Sequence, residues 1–225
     1  MSSEIPSDQI KILQSGGIFL LLVDLITRKM KMSLNRVMFL KINGLAGKYP
    51  LLDKMTVFLA QYAIFMVPIF LLYLWFKKSE ETDEIKKKAL LLFTAAMISW
   101  FFSFIISSVY FHPRPFMLQP PLGKKLISHA PDASFPSDHT TVLSALAFTY
   151  FFSGEVFEGT IFLILAFIVG FARVYCGIHF PYDIFGGVAA GLMGAGLTTR
   201  FKKQLSPVFD WCIHLWLRIL RIVLK

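Results

Sequence analysis

Two long apolar stretches dominate the pattern of hydrophobic and polar positions. Residues 55–76 and 89–111 contain no charged residue. A helix of about 20 apolar residues spans the hydrocarbon core of a bilayer, so each stretch predicts a transmembrane helix. Apolar and polar positions do not alternate within them, which argues against a membrane β-barrel.

Three shorter apolar stretches follow, at residues 140–152, 159–175 and 184–199. Short motifs or polar turns flank each of them, which predicts further helices of one bundle. The last stretch contains five glycines, and small residues allow helix backbones to approach closely in lipid. These are Gly186, Gly187, Gly191, Gly194 and Gly196. The predicted fold is all-α, a polytopic membrane helix bundle of about six helices.

The charge distribution indicates how this bundle meets the membrane. Lys and Arg number 23 against 14 Asp and Glu, and 56% of the residues are hydrophobic. In a soluble chain a net charge of +9 would suggest nucleic acid, but these cations fall mostly at the ends of apolar stretches. We therefore expect contact with anionic lipid headgroups and no nucleic-acid partner.

The positive-inside rule assigns two basic segments to the cytoplasm. Residues 77–88 contain five lysines, and residues 200–203 contain three further cations. Counting spans from these segments puts the loops 112–139 and 176–183 outside, and they hold four of the five histidines. The expected location is the plasma membrane, multi-pass, with the reactive residues on the extracytoplasmic face.

The apolar stretches belong to one predicted domain, residues 55–205, with a different segment on each side. Residues 1–54 are interrupted by polar positions and predict amphipathic or partly inserted helices rather than a signal peptide. In residues 206–225 polar side chains recur every three or four positions, which predicts an amphipathic helix in the cytoplasmic interface. Cys176 and Cys212 have no disulfide or zinc spacing and are expected to be packing residues.

Three short segments carry groups suited to phosphoryl transfer. They are Pro113-Arg114-Pro115, the run 135–140, and Arg173 followed by His179 and Asp183. Arginine stays charged and binds phosphate oxygens through two parallel hydrogen bonds. Arg114 and Arg173 are therefore candidate phosphate ligands.

The run 135–140 predicts a phosphate cradle at a helix start. Ser137 precedes an apolar helical stretch and is a candidate N-cap residue. The backbone N–H groups of Asp138, His139 and Thr140 would then face an anion at the positive end of the helix dipole.

The pair His179 and Asp183, four positions apart at a helix start, predicts a nucleophile and its orienting partner. One ring nitrogen would face the carboxylate, and the other would attack phosphorus to form a phosphohistidine that water hydrolyses. His139 is the candidate general acid and base. No cluster has metal-ligand spacing, so the expected site contains neither a metal nor another cofactor.

Each segment also has a simpler interpretation. The Pro-Arg-Pro turn could place an arginine among lipid headgroups, and the serine could be a plain N-cap. The histidine and aspartate could be an ordinary hydrogen-bonded pair. Their combination on one inferred face favours catalysis. For His112, His129 and Asp132, loop hydrogen bonds or headgroup contacts are the favoured roles.

The three segments resemble the three-part signature of the type 2 phosphatidic acid phosphatase superfamily, over about residues 53–205. Within this range the stretch 129–140, HAPDASFPSDHT, has Asp138 where most members have glycine. In this respect it is similar to the undecaprenyl pyrophosphate phosphatases of the bacitracin-resistance type.

The resemblance implies a six-helix membrane enzyme that hydrolyses the terminal phosphate of a polyprenyl pyrophosphate without a metal. It also implies that His179 is the nucleophile, that Asp183 orients it and that His139 is the general acid and base. The implied phosphate-binding residues are Arg114, Ser137, Asp138 and Arg173. The implied biological role is recycling of the lipid carrier of peptidoglycan synthesis, and with it resistance to bacitracin.

Two positions depart from the family pattern. Ser107 stands where the wider family has a lysine seven residues before the first arginine, and Ala172 stands where it has a serine before the second. Lys124 or Lys125 of the outer loop could replace that lysine, or both could be solvated surface charges.

The leading prediction is therefore a phosphatase for undecaprenyl pyrophosphate. The alternative is a phosphatase for phosphatidic acid or phosphatidylglycerol phosphate, which needs the same chemistry and a different lipid. A non-catalytic lipid transporter would need neither His139 nor the pair of His179 and Asp183.

Overall fold

The computed structural model describes residues 33–78 and 81–223. The helices expected in residues 1–32 lie outside the described residues. The chain divides into Met1–Val37 and a larger unit, Met38–Lys225, which contains every residue of the site described below.

Helices make up most of the described chain, and no strand occurs in that part. Its eight α-helices are α1 Leu34–Asn43, α2 Pro50–Tyr62, α3 Met66–Phe76, α4 Thr82–Val109, α5 Asp138–Phe152, α6 Val156–Tyr175, α7 Pro181–Arg200 and α8 Lys202–Val223. Short 3₁₀ turns occur at Ala63–Phe65 and Pro115–Met117. The all-α fold predicted from the sequence is confirmed.

Among the described residues, three helical segments are long and apolar enough to cross a membrane: Pro50–Phe76, Thr82–Val109 and Val156–Tyr175. The first joins α2 and α3 through a 3₁₀ turn into one rod of 27 residues. Helix α4 begins before the predicted residue 89 because the lysines that precede it are good helix formers. It ends at Val109, two residues before the predicted end and shortly ahead of Pro113.

Helices α5 and α7 run side by side in the same direction through the centre of the bundle. A Cβ atom at Gly187 would lie 2.7 Å from the carbonyl oxygen of Ser137, and one at Gly191 would lie 2.7 Å from that of Thr141. A larger residue at either position would therefore push the helices apart. The close approach predicted for the glycine-rich stretch is confirmed.

The two ends of the bundle differ in their chemistry. At one end Lys88 pairs with Glu155 at 2.8 Å, and Lys87 pairs with Asp210 of α8 at 2.9 Å. At the other end, where α4 finishes and α7 starts, lies the long loop 110–137. The basic connector and the histidine-rich loops therefore lie at opposite ends.

Helix α8 has one apolar face turned to the bundle. Phe209 and Ile213 are buried, whereas Trp211 between them is exposed. The helix begins at Lys202, four residues before the segment expected from the sequence, and it continues through Pro207.

Candidate active site

Four segments of the chain meet where α4 ends and α7 begins. Arg114 lies just before the second 3₁₀ turn, His139 lies in the first turn of α5, and Arg173 lies in the last turn of α6. His179 immediately precedes the cap of α7, and Asp183 lies in its first turn. His139 is half-buried and the other four are buried, with His179 only 1% exposed. The structure thus brings together the groups that the sequence assigned to one face.

Protein acceptors orient the guanidinium of Arg114. Its Nε donates to Oδ1 of Asp132 at 2.7 Å, and its Nη2 donates to the carbonyl oxygen of Ala133 at 3.0 Å. Its Nη1 donates to the carbonyl oxygen of Ile178 at 2.7 Å and lies 3.1 Å from Nε2 of His179. One edge of this cation is therefore held against the predicted nucleophile.

Arg173 lies among three imidazoles. Its Nη1 is 3.3 Å from Nε2 of His139, and its Nη2 is 3.2 Å and 3.3 Å from the Nε2 atoms of His129 and His179. Nη1 also donates to the carbonyl oxygen of Ala60 at 2.9 Å, in the last turn of α2, where carbonyl groups lack intrahelical partners. Its buried Nε has no acceptor among the described residues, so this guanidinium keeps an unused donor.

The neighbours of His179 determine the tautomer of its ring. A guanidinium can only donate, so Nε2, at 3.1 Å from Arg114 and 3.3 Å from Arg173, accepts and carries no proton. Nδ1 then carries the proton and faces Oδ2 of Asp183 at 3.4 Å. The unprotonated nitrogen therefore lies between the two cations.

Two further donors hold the carboxylate of Asp183. Its Oδ2 accepts from the backbone N–H of Phe180 at 2.7 Å and from the hydroxyl of Ser134. The Ser134 hydroxyl also lies 3.4 Å from Nδ1 of His179. Sequence reasoning missed Ser134, although the residue lies within the stretch 129–140 that carried the family resemblance.

Burial, only partly offset by the hydrogen bond to Asp183, lowers the pKa of His179 to about 3. The positive charges of Arg173 and Arg114 act in the same direction as burial. Burial also lowers the pKa of His129. The imidazole of His179 is therefore neutral near pH 7, which is the state that a nucleophile requires.

The start of α5 has the backbone geometry predicted for an anion site. Ser137 occupies the N-cap position, but its hydroxyl does not cap the helix and instead accepts from Thr140 Oγ1 at 3.2 Å. The first intrahelical hydrogen bond runs from the Thr141 N–H to the Ser137 carbonyl at 2.9 Å. The N–H groups of the three residues between them consequently have no intrahelical acceptor.

The carboxylate of Asp138 faces α4 and not the arginines. Its Oδ1 accepts from the hydroxyl of Ser103 at 2.6 Å. A cavity of about 250 Å³ lies beside it, bordered also by Ser107, Arg114 and Asp132. An ionised carboxylate has no proton to donate to a phosphate oxygen, so only the backbone N–H of Asp138 is suited to phosphate binding.

Three residues expected to have only loop or headgroup roles line the same site. Asp132 accepts from Arg114, and His129 lies against Arg173. Nδ1 of His112 lies 3.3 Å from Oδ1 of Asp183, and neither atom has a hydrogen bond to the described residues. Asp132 and His129 therefore make hydrogen-bond contacts with candidate site residues, whereas His112 lies close to Asp183 without a hydrogen bond. Each of the three residues lies close in sequence to one of the motifs, and this proximity could have indicated that they line the site.

The two lysines considered as replacements for the family lysine are engaged elsewhere. Nζ of Lys124 donates to the carbonyl oxygen of Ala46 at 2.9 Å. Nζ of Lys125 donates to the carbonyl oxygen of His129 at 3.1 Å and lies 3.8 Å above the ring of Phe116. Both ammonium groups therefore hold the outer loop in this arrangement, and replacement of the family lysine by either of them stays a prediction.

Metal-ligating side chains do not gather in the described part of the chain. No group of three or more His, Cys, Asp or Glu residues there could hold a metal ion. The cations that face the candidate nucleophile are the guanidiniums of Arg114 and Arg173.

Known proteins are similar to this chain in sequence and in fold. Residues 88–207 match the PAP2 superfamily. The undecaprenyl-diphosphatase BcrC of Bacillus subtilis is 31% identical over 192 residues, which cover 85% of this chain and 96% of that protein. The lipid A 4'-phosphatase of Porphyromonas gingivalis is 28% identical over a region that covers 72% of this chain and 70% of that protein. The crystal structure of Aquifex aeolicus LpxE is similar with a TM-score of 0.59 and 28% identity, covering 76% of this chain and 97% of that one.

Proposed function

The chain belongs to the PAP2 superfamily, and we propose that this membrane phosphatase removes the terminal phosphate of undecaprenyl pyrophosphate through a phosphohistidine intermediate. The relative from Bacillus subtilis, named an undecaprenyl-diphosphatase, supports the choice of substrate because it matches this chain over almost its whole length.

One observation carries the mechanism. The unprotonated Nε2 of His179 lies 3.1 Å from Arg114 and 3.3 Å from Arg173. Two guanidiniums in these positions can bind the oxygens of a terminal phosphate and hold its phosphorus close to the nitrogen. They also offset the negative charge that develops in the transition state.

In the first step, the lone pair on Nε2 of His179 forms the nitrogen–phosphorus bond. The bond from the terminal phosphorus to the bridging oxygen breaks, and the lipid monophosphate leaves with the electron pair. Burial and the charge of Arg173 lower the pKa of His139 to about 2 in the free protein. The negative charge of the bound substrate favours the protonated form of His139, which donates a proton to that oxygen. Asp183 stabilises the positive charge that the ring of His179 acquires.

In the second step, water attacks the phosphohistidine and His139 accepts its proton. The nitrogen–phosphorus bond breaks, its electron pair returns to Nε2 of His179, and inorganic phosphate is released. The hydrogen bond between Nδ1 of His179 and Asp183 preserves the tautomer, so the ring is ready for another attack.

The proposed location is the outer face of the plasma membrane. The site lies at the end of the bundle opposite Lys87 and Lys88, and basic residues favour the cytoplasmic side. We assign catalysis to residues 55–205, an interfacial position on the cytoplasmic side to 206–225, and amphipathic or partly inserted helices to 1–54.

Phosphate release by the purified protein in detergent tests the substrate. Undecaprenyl pyrophosphate should be hydrolysed with a kcat/KM at least about 10-fold above that for phosphatidic acid, or about 1.4 kcal/mol of transition-state binding. The physical reason is that a lipid phosphate is a better leaving group than a lipid alkoxide. Equal or faster hydrolysis of phosphatidic acid would overturn the proposed specificity.

A lipid phosphate monoester is the second candidate substrate. The sequence match to the lipid A 4'-phosphatase of Porphyromonas gingivalis supports this candidate, because the match covers 72% of this chain. Lipid A and phosphatidylglycerol phosphate therefore belong in the same assay. A preference for either over undecaprenyl pyrophosphate would select the second candidate.

A further inference from the structure

An apolar groove lies between the rod formed by α2 and α3 and the helix α6. It has a volume of about 280 Å³, and every residue that lines it except Glu158 is apolar. Met66 and Phe70 belong to one wall, and Ile161 and Val169 belong to the other. A groove of this composition suits a hydrocarbon chain, because a polar ligand would lose its hydrogen bonds there.

The apolar groove begins one helical turn away from the candidate active site. On α5, the lining residue Leu143 follows His139 by four positions. On α6, the lining residue Val169 precedes Arg173 by four positions. Residues four apart share a helix face and lie about 6 Å apart along the axis. On both helices, a residue that lines the groove therefore lies on the same face as a site residue, about one turn away.

A second contact joins the apolar groove to the site from the opposite wall. Nη1 of Arg173 donates to the carbonyl oxygen of Ala60 at 2.9 Å. Leu59 and Ala63, which flank Ala60 on the same rod, both line the groove. The cation that would bind the phosphate therefore contacts the segment of the rod from which Leu59 and Ala63 line the groove.

The direction of the reaction selects the occupant. In an in-line displacement the leaving oxygen lies on the side of phosphorus opposite the nucleophile. That oxygen therefore lies away from His179 and toward His139, and the lipid is attached beyond it. The groove residue one turn below His139 is Leu143. We propose that the apolar groove binds the polyprenyl chain of the substrate, with the isoprene units nearest the phosphates beside Leu143 and Val169.

This inference rests on the proposed function, and it makes binding depend on the length of the prenyl chain. Ile161 precedes Val169 by eight residues on α6, which places it roughly 12 Å further from the site at 1.5 Å per residue. A long polyprenyl chain would extend past Ile161, whereas a short chain such as geranyl would occupy only the part of the groove between the site and Ile161. Ile161 is 41% exposed, so the part of the groove furthest from the site is accessible to the surrounding lipid.

Narrowing the groove at Ile161, far from the site, tests in liposomes whether hydrolysis depends on the length of the prenyl chain. Ile161→Trp should lower kcat/KM for undecaprenyl pyrophosphate about 10-fold, the lower range for an altered hydrophobic pocket, and should leave geranyl pyrophosphate within about twofold. The matched control is Ile164→Trp on the same helix, because Ile164 is 53% exposed and does not line the groove. It should hydrolyse both substrates like the wild type.

A second variant guards against a folding defect. Met66→Trp narrows the opposite wall, and the thermal unfolding midpoint of each variant should match that of the wild type. An equal loss on both substrates, or the same loss in Ile164→Trp, would contradict the assignment. Unchanged kcat/KM for undecaprenyl pyrophosphate in both groove variants would also contradict the assignment.

The outcome for the wild type separates the two proposals. A wild-type protein that does not hydrolyse undecaprenyl pyrophosphate contradicts the proposed function, and the groove assignment falls with it. A wild-type protein that hydrolyses it, with groove variants that behave like the control, contradicts the groove assignment alone.

Discussion

Ser134 donates a hydrogen bond to Oδ2 of Asp183, the carboxylate oxygen that also lies 3.4 Å from Nδ1 of His179. A hydrogen bond to a charged group contributes about 1.5–3 kcal/mol. Ser134 is therefore a positioning residue, which holds the carboxylate that orients the predicted nucleophile.

Ser134→Ala should lower kcat by about 10- to 100-fold and leave KM nearly unchanged, because the hydroxyl acts through Asp183 and not on the substrate. Steady-state phosphate release measures both constants. Ser144→Ala is the matched control, since that buried hydroxyl has no hydrogen-bond partner among the described residues. A similar loss of kcat in both variants would contradict the positioning role.

His179→Gln should abolish turnover, on the order of 10⁴-fold in kcat, because glutamine has no basic nitrogen to form the covalent intermediate. Rapid acid-free quenching with labelled substrate should detect an acid-labile phosphoenzyme in the wild type and none in the variant. His214→Gln, which changes an exposed histidine of α8, should remain fully active. Turnover at the wild-type rate by His179→Gln would rule out the phosphohistidine.

Stability should decrease on acidification because of His179. Its pKa is about 3 in the folded protein, whereas an unfolded histidine has a pKa of about 6.5. Below about pH 6.5 the unfolded chain binds a proton that the folded protein does not, so unfolding becomes more favourable. Above that pH both states are neutral and the effect vanishes.

The thermal unfolding midpoint of the wild type in detergent should therefore fall between about pH 7 and about pH 5. The fall should be smaller in His179→Gln, which has no proton to bind at this position. His129, whose pKa is also lowered, remains in both proteins and accounts for part of the residual fall. Identical falls in the two proteins would contradict the lowered pKa of His179.

Chelation should not reduce activity. The guanidiniums of Arg114 and Arg173 supply the positive charge that a metal would provide to the phosphate. Phosphate release in excess EDTA should equal that in its absence, and vanadate should inhibit by adopting the five-coordinate geometry of the transition state. Loss of activity in EDTA with recovery on adding magnesium would indicate a metal-dependent mechanism.

Cysteine labelling should locate the two ends of the bundle. In a Cys212→Ser background, Ser128→Cys should react with an impermeant maleimide in intact cells, and Lys78→Cys should not. Both positions are exposed, so accessibility depends on the side of the membrane. Permeabilised cells provide the control, because both variants should react there. The reverse labelling pattern would invert the proposed topology.

The sequence alone determined the helical bundle, because the signals for it are local. A stretch such as 89–111 is apolar over the length of a membrane span, and Gly187, Gly191 and Gly194 of α7 lie at close helix contacts. The candidate site residues were also predictable as a set. Phosphate chemistry requires particular residue types, and Arg114, His139 and His179 lie in recognisable motifs.

Only the tertiary structure decided which groups hold those residues in place. The two arginines donate hydrogen bonds to the carbonyl oxygens of Ala60, Ile178 and Ala133. Nothing in the side chains of these three residues indicates this role. Every residue carries a backbone carbonyl, so folding alone determines which of them lies within hydrogen-bonding distance of a guanidinium.

The dependence of contacts on folding also explains why the sequence did not predict the contacts of Lys124, Lys125 and Ser134. Lys124 and Lys125 carry the charge expected near a phosphate, but the path of the outer loop directs both toward backbone carbonyls. Ser134 has an ordinary hydroxyl, and its importance arises because residues far apart in the chain bring it against Asp183. Residue chemistry limits what a group can do, and the distances created by packing decide which of those interactions it makes.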